Sequence, residues 1–368
     1  MPALSTKVDG LRLDNPFVVA SGPPGTNLNV IRKAFAEGWG AVVAKTVCLD
    51  AASIRNVSPR YGQLAASNGE IYAWENIELI SDRPFATWLE EFRAAKEQRP
   101  EGVLIASVME ECRRDAWHEI VERCQDTGVD GLELNLSCPH GLPERKMGSA
   151  MGEDPEIVEE VVGWVMEVAR VPVWAKLTPN VTHIEPAARA ALHAGATGLS
   201  AINTIRSVIG VNLDTLRPLP TVEGRSTPGG YSGPAVKPIA LRMVMELGQV
   251  IRHEFPGRTL HGVGGIESGD NAAEFILCGA DTVQVCTGIM KHGYGLVRRM
   301  KEQLLAFMDR HGFETPDEFK GRSLPYFTSH SDLADRQQKR KDARKRAAHG
   351  DADWSADAFV EQSQSLAG

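Results

Sequence analysis

The feature that most constrains this chain is an eightfold recurrence, in which a short run rich in Val, Ile, Leu and Ala is followed each time by an amphipathic stretch. A parallel strand covered on both faces reads as a continuous apolar run, and the amphipathic stretch supplies the helix that covers it. The runs are Phe17–Ser21, Ala41–Lys45, Val103–Val108, Gly131–Leu136, Val173–Leu177, Gly198–Ile202, Thr259–Gly262 and Thr282–Val285. The spacing predicts helices over Leu28–Glu37, Pro84–Glu97, Asp115–Thr127, Pro155–Ala169, Glu185–Ala194, Lys237–His253, Asp270–Leu277 and Tyr294–His311. Eight repeats favour an α/β fold of the closed (β/α)8 TIM-barrel type over a doubly wound open sheet, which more often has about five or six strands.

Local signals agree with these limits. Asp154-Pro155 offers an N-cap followed by proline at the first helical position, and Gly128, Gly195 and Gly279 stand where C-terminal caps belong. Ahead of the first strand, Lys7–Leu13 alternates around Asp9-Gly10, an N-terminal hairpin suited to plugging the barrel floor. Three βα connections are much longer than a barrel needs, Val47–Arg83, Pro139–Glu153 and Ile205–Val236, and such loops are commonly lids or binding loops.

A chain of 368 residues that is 42% hydrophobic can bury one large core. The expected organisation is a catalytic barrel over residues 1–312 and a C-terminal extension over 313–368. A formal charge of −8 with both signs dispersed leaves no footprint for nucleic acid. Cys48, Cys112, Cys124, Cys138, Cys278 and Cys286 include no C-x-x-C pair, so neither a zinc knuckle nor an iron–sulfur run is expected, and no metal site. Met1–Gly10 lacks an apolar signal core, and no run of about eighteen apolar residues appears, so a cytoplasmic protein without membrane contact is expected.

Chemistry in a barrel gathers where strands end, and polar groups stand at nearly every such end here. Gly264-Gly265 closes the seventh strand, where backbone N–H groups commonly hold a phosphate, although a tight turn also explains a glycine pair. Lys45 and Lys176 end apolar strands and must either pair with an anion or face a ligand. A flavin is such a ligand, because an ammonium stabilises the charge that reduction places near N1 and O2; ordinary salt bridges are the alternative. In Asn135-Leu136-Ser137-Cys138-Pro139-His140, period-2 alternation puts Asn135 and Ser137 on one face, and Cys138 opens a Pro- and Gly-containing loop. A thiol there can carry a proton, and His140 either tunes it or is simply solvated, as loop histidines more often are, while a lone cysteine is otherwise a small buried hydrophobe. Cys48, Cys112, Cys124 and Cys278 belong to that second class.

Asn135 to Gly141, reading Asn-Leu-Ser-Cys-Pro-His-Gly, resembles the active-site loop of the dihydropyrimidine dehydrogenase family, within the wider dihydroorotate dehydrogenase-like superfamily. The resemblance runs in order from about residue 5 to 310, through Asn76-Ile-Glu-Leu-Ile80, Ala175-Lys-Leu-Thr-Pro-Asn-Val181, Asn203-Thr204, Ser232-Gly233, Lys237–Arg242, Gly264-Gly-Ile266 and Gln284-Val-Cys286. It implies an FMN cofactor held by Ser21, Lys45, Thr46, Lys176, Gly233, Gly264, Gly265, Cys286 and Thr287. It further implies a pyrimidine held by Asn76, Glu78, Ile80, Asn135, Asn203 and Thr204, with Cys138 as the catalytic acid or base. The reaction implied is oxidation or reduction of the C5–C6 bond of uracil or thymine, with hydride exchanged at flavin N5. Taken singly, Asn76 and Asn203 would serve equally as loop caps.

The chain departs from the family in one respect. Members carry cysteine-rich ferredoxin-like clusters that bring electrons from a separate NAD(P)H site, and none of those cysteines stands here. In their place Asp335–His349 is rich in Arg and Lys and reads as a solvated helix or tail. A separate electron-transfer partner and a homodimer are expected by analogy. The alternatives are a flavoenzyme acting on another cyclic ureide or imidazolone, including dihydroorotate-like chemistry or chemistry not driven by NAD(P)H, or a non-catalytic ligand-binding scaffold.

Overall fold

The structure, a computed structural model, describes residues 2–137, 148–350 and 363–366. Eight parallel strands close into a barrel: β1 (Phe17–Val19), β2 (Ala41–Val43), β3 (Val103–Val108), β4 (Gly131–Asn135), β5 (Val173–Lys176), β6 (Gly198–Ala201), β7 (Thr259–Val263) and β8 (Thr282–Val285). Each pairs with its neighbours in sequence, and β8 closes on β1 through Val283↔Phe17. The eight covering helices start and end within two residues of their expected limits, from Leu28–Glu37 to Leu296–His311. Asn27 caps the first by accepting from the Asn29 and Val30 N–H groups, and Asp154 caps Pro155–Val168 through the Glu156 N–H. Strands β1 and β2 stop short of Ser21 and Lys45. Ala44 N–H still reaches Ile105 O at 2.9 Å, but Lys45 N–H turns away to Gly25 O, bending the chain outward at the rim.

Alternation along the strands splits the core in two. Phe17, Val19, Val42, Leu104, Ala106, Leu132, Leu134, Ala175 and Leu199 pack outward with the helices in one large cluster. Val18, Ala41, Val43, Val103, Ile105 and Trp174 form a separate interior cluster with Val8 and Leu13 of the N-terminal hairpin, Thr6–Val8 paired with Leu11–Leu13. A one-residue offset would exchange these faces, so closure of the barrel rests on the period of two. The hairpin is pinned under β5 and β7, because Asp9 Oδ2 accepts from Trp174 Nε1 at 2.7 Å and from Thr259 Oγ1 at 2.8 Å. Beside it, fully buried His261 packs on Trp174 with ring centroids 3.7 Å apart. Burial pushes the His261 imidazole down to about 3, so the ring is neutral at pH 7.

The long connections after β2 and β6 do more than lie over the rim. Tyr61–Ala65 and Ile71–Asn76 come from the first, Ile205–Ser207 and Gly229–Ser232 from the second, and they join into one antiparallel sheet. Gly230 pairs with Asn76 at the joint, where a Cβ would stand 2.2 Å from Thr204 Oγ1, so only glycine fits. Glu75, buried in the same sheet, accepts from the Ser207 hydroxyl and so ties the two loops together.

This compact unit spans Met1–Leu324. It continues past residue 312, the end expected from the sequence, because Phe319 and Leu324 are buried and Gly321 and Ser323 N–H groups bond to Ile276 and Leu277 O. The second unit, Pro325–Gly368, contains the helix His330–Gly350. Across 330–344 of that helix every residue but Asp332 is exposed, as a run without an apolar stripe requires. No helix among the described residues is long and apolar enough to cross a membrane.

Candidate active site

One cavity of about 1160 Å³, counting its open mouth, sits at the C-terminal ends of the barrel strands under the loop-built sheet. Ser21, Lys45, Thr46, Lys176, Gly233, Gly264, Gly265, Cys286 and Thr287 line it, as do Asn76, Glu78, Ile80, Asn135, Asn203 and Thr204. Residues separated by more than 260 positions are thereby brought to one space. Cys138, His140 and the rest of the loop 138–147 lie outside the described residues.

A chain of polar groups crosses the cavity floor. Ser21 Oγ is 3.2 Å from Thr46 Oγ1, which is 2.8 Å from Ser107 Oγ and accepts from Asn135 Nδ2 at 3.0 Å. Asn203 Nδ2 donates to Asn135 Oδ1 at 3.0 Å and to Ser137 Oγ at 2.9 Å, so Asn135 and Ser137 do share a face. Each amide retains hydrogen-bonding capacity, since a carboxamide offers two N–H donors and two lone pairs. Asn76 is the least committed, its Nδ2 reaching only Gly230 O at 3.4 Å.

Both lysines are paired and both face the cavity, so the two readings of them combine. Lys45 Nζ lies 2.7 Å from Glu78 Oε2, which also accepts from Tyr61 Oη at 2.8 Å, and Arg60 Nη1 takes Glu78 Oε1 at 2.8 Å. Burial by itself would raise the Glu78 carboxyl, but Lys45, Tyr61 and Arg60 outweigh it and hold it below the usual carboxylate range. Lys176 Nζ lies 3.0 Å from Glu133 Oε1 inside the barrel. Removing one member of such a buried pair typically costs ~3–5 kcal/mol, because the other charge is left uncompensated.

Comparison with known proteins gives this site a lineage. Residues 3–308 match the family model described as dihydroorotate dehydrogenase. The chain belongs to that family. It is 54% identical to the chloroplastic dihydropyrimidine dehydrogenase (NADP(+)) of Arabidopsis thaliana, over 99% of this chain and 88% of that one. It is 39% identical to the NAD-dependent dihydropyrimidine dehydrogenase subunit PreA of Escherichia coli K12, over 86% of this chain and 76% of that one. A crystal structure of the Eimeria tenella dihydroorotate dehydrogenase with ferulenol shares the fold, with a TM-score of 0.71 at 22% identity, covering 87% of this chain and 88% of the other.

The family's cofactor is FMN, which makes the chain a flavin-dependent oxidoreductase, and the residues present fit it. Gly22, Gly264 and Gly265 let three backbone segments approach closely: a Cβ would stand 2.7 Å from Cys286 Sγ at Gly22, 2.6 Å from Ala240 Cβ at Gly264, and 2.8 Å from Gly233 O at Gly265. Gly233 and Gly265, at φ +93° and +71°, hold the left-handed conformations that favour glycine. Two ammonium groups face the same space, and the buried Gln284 Oε1 has no hydrogen-bond donor among the described residues. A ring with carbonyl oxygens and an N–H satisfies both. Burial pushes the Cys286 thiol up to about 11 although Lys45 and Lys176 pull it down, so it packs as a neutral thiol.

The sequence reading missed several cavity residues. Tyr61 and Trp74 form an edge-on wall with ring centroids 6.2 Å apart. Burial, with Glu78 beside it, pushes the Tyr61 phenol well above its ordinary range and keeps it a donor. Nothing in a 37-residue loop indicates which side chains turn inward. Gln284, and Glu133 behind it, were legible in part, since each is a polar residue inside a largely apolar strand.

Proposed function

We propose that this chain transfers hydride and a proton across the C5–C6 bond of uracil, thymine or a near relative. The observation that carries the proposal is the convergence of Asn76, Asn135, Asn203, Thr204 and Glu78 on one cavity beside Lys45 and Lys176. A cyclic ureide presents alternating N–H and C=O groups, and carboxamides pair with both kinds. A ring with the wrong pattern leaves buried groups unpaired, which is how such a site discriminates. Ile80, 3% exposed, adds an apolar wall. The 54% identity to a dihydropyrimidine dehydrogenase supports the choice of ring.

In this reading Ser21, Lys45, Thr46, Lys176, Gly233, Gly264, Gly265, Cys286 and Thr287 hold FMN, which supplies the hydride acceptor or donor when bound. Cys138 holds and moves the proton at C5. Its neighbour Ser137 is anchored at the rim by donating to Lys176 O at 3.0 Å and accepting from Asn203. Electrons pass to or from a separate partner, a role supported by the name of the Escherichia coli relative as a subunit and by the lack of cluster-forming cysteine spacing. Anaerobic titration of the flavin-loaded protein with dihydrouracil, dihydrothymine and dihydroorotate tests the reading. Bleaching of the flavin by either of the first two is expected; bleaching by dihydroorotate alone would overturn it.

A further inference from the structure

Strand β4 carries a carboxylate for which the reaction above has no use. Glu133 is fully buried inside the barrel and does not itself line the cavity. Its Oε1 accepts from Lys176 Nζ at 3.0 Å, and its Oε2 accepts from Ser200 Oγ at 2.8 Å and from Gln284 Nε2 at 2.7 Å. Four strands, β4, β5, β6 and β8, thus meet on one acid. Gln284 Nε2 also lies 3.3 Å from Ser200 Oγ, while its buried Oε1 has no partner among the described residues. Elsewhere in the barrel the interior is filled by Val18, Ala41, Val43, Val103 and Ile105, an apolar cluster, instead.

Lys176 and Gln284 line the cavity, and Glu133 stands behind both. An ammonium has three N–H donors on a flexible stem, so a fixed acceptor behind it decides where the remaining donors point. The same carboxylate holds Gln284 by its NH2 group, which leaves the amide oxygen as the atom available to a ligand. Charge matters as much as position. Reduction gives the flavin negative charge, which a facing cation stabilises, and an anion behind that cation offsets part of its field.

We propose that Glu133 is a positioning residue for the cofactor: it fixes Lys176 and Gln284 against the flavin and limits the positive charge the flavin feels, setting its reduction potential. The inference rests on the flavin site but not on the choice of pyrimidine. Its test uses no substrate, and flavin content reports the site itself.

The experiment compares FMN content and the midpoint potential of the bound flavin, measured anaerobically against reference dyes, in the wild type, Glu133→Gln, Lys176→Met and the double variant. Glu133→Gln is expected to keep FMN and to favour the reduced over the oxidised flavin at least tenfold more than the wild type, a positive shift of about 30 mV or more for this two-electron couple. Lys176→Met shifts the potential in the negative direction, and the double variant falls between the two. Glu133→Asp, which keeps the charge but withdraws it by one methylene, gives a smaller positive shift and decides the matter if Glu133→Gln does not fold. Potentials equal to the wild type in both Glu133 variants, with only a lowered melting temperature, would mean that Glu133 merely fills the barrel and would overturn the proposal. A wild type that binds no FMN would instead remove the flavin site.

Discussion

Lys45 and Glu78 form a buried ion pair 2.7 Å long between the end of β2 and the loop that follows it. In the proposed reading one partner holds the cofactor and the other the substrate, so each ligand would meet a group already engaged by the other's site. Arg60 and Tyr61 reinforce the carboxylate from the start of the first strand of the loop-built sheet and the residue before it.

This pairing makes Glu78 a source of acid sensitivity. Its folded-state pKa lies below the ordinary value of 4.5, so the stability it contributes is present above that value and is lost as pH falls through the folded one. Glu78→Gln should therefore be less stable than the wild type at pH 7 and should lose less stability on acidification below about pH 4.5. Thermal melts across that range check the slope. A parallel decline in both proteins would show that the pair carries no such linkage.

Gly230→Ala should damage the rim and leave the barrel standing. Its added methyl meets Thr204 Oγ1 and Cβ, at 2.2 and 2.8 Å, so either the sheet opens or Thr204 moves. A rise in KM of order tenfold, with FMN content unchanged, is the expected result, since about 1.4 kcal/mol of lost binding corresponds to that factor. Unchanged steady-state kinetics would place Thr204 outside the substrate site.

Cys138→Ala should retain FMN and substrate binding but lose turnover by roughly 10²-fold or more, because proton transfer is removed while the flavin and amide contacts stay. Stopped-flow reduction by the dihydropyrimidine separates the chemical step from binding. A variant that turns over at the wild-type rate would end the acid–base assignment.

Purified alone, the chain should contain FMN without iron and should not be bleached rapidly by NADH or NADPH. Its six cysteines include no C-x-x-C pair, and no second βαβ unit with a Gly-rich dinucleotide turn accompanies the barrel motifs. Metal analysis and anaerobic mixing with each nicotinamide provide the check. Stoichiometric iron, or fast bleaching, would contradict the need for a separate electron partner.

What the sequence determined by itself was most of what acts over a few residues, although the short-range hairpin of Tyr61–Ala65 with Ile71–Asn76 went unread. The eight strands and their helices were legible because burial on both faces and an amphipathic period are written residue by residue. The Asp154 cap, the Asp9-Gly10 turn and the glycine-lined ends of β7 and β8 follow from local backbone chemistry, and barrel closure then carries every strand end to one rim. Only the tertiary structure decided which distant segments pair. The joint of Gly230 with Asn76, 154 positions apart, depends on where two long loops land, and no local pattern records that. The same holds for Glu133. Alternation places it on the face of Asn135 and Ser137, but whether that face meets solvent, a helix or three partners on β5, β6 and β8 is settled by closure of the barrel. A carboxylate becomes tolerable there only because those partners arrive together, since each bond it accepts offsets desolvation that no neighbour in sequence can supply.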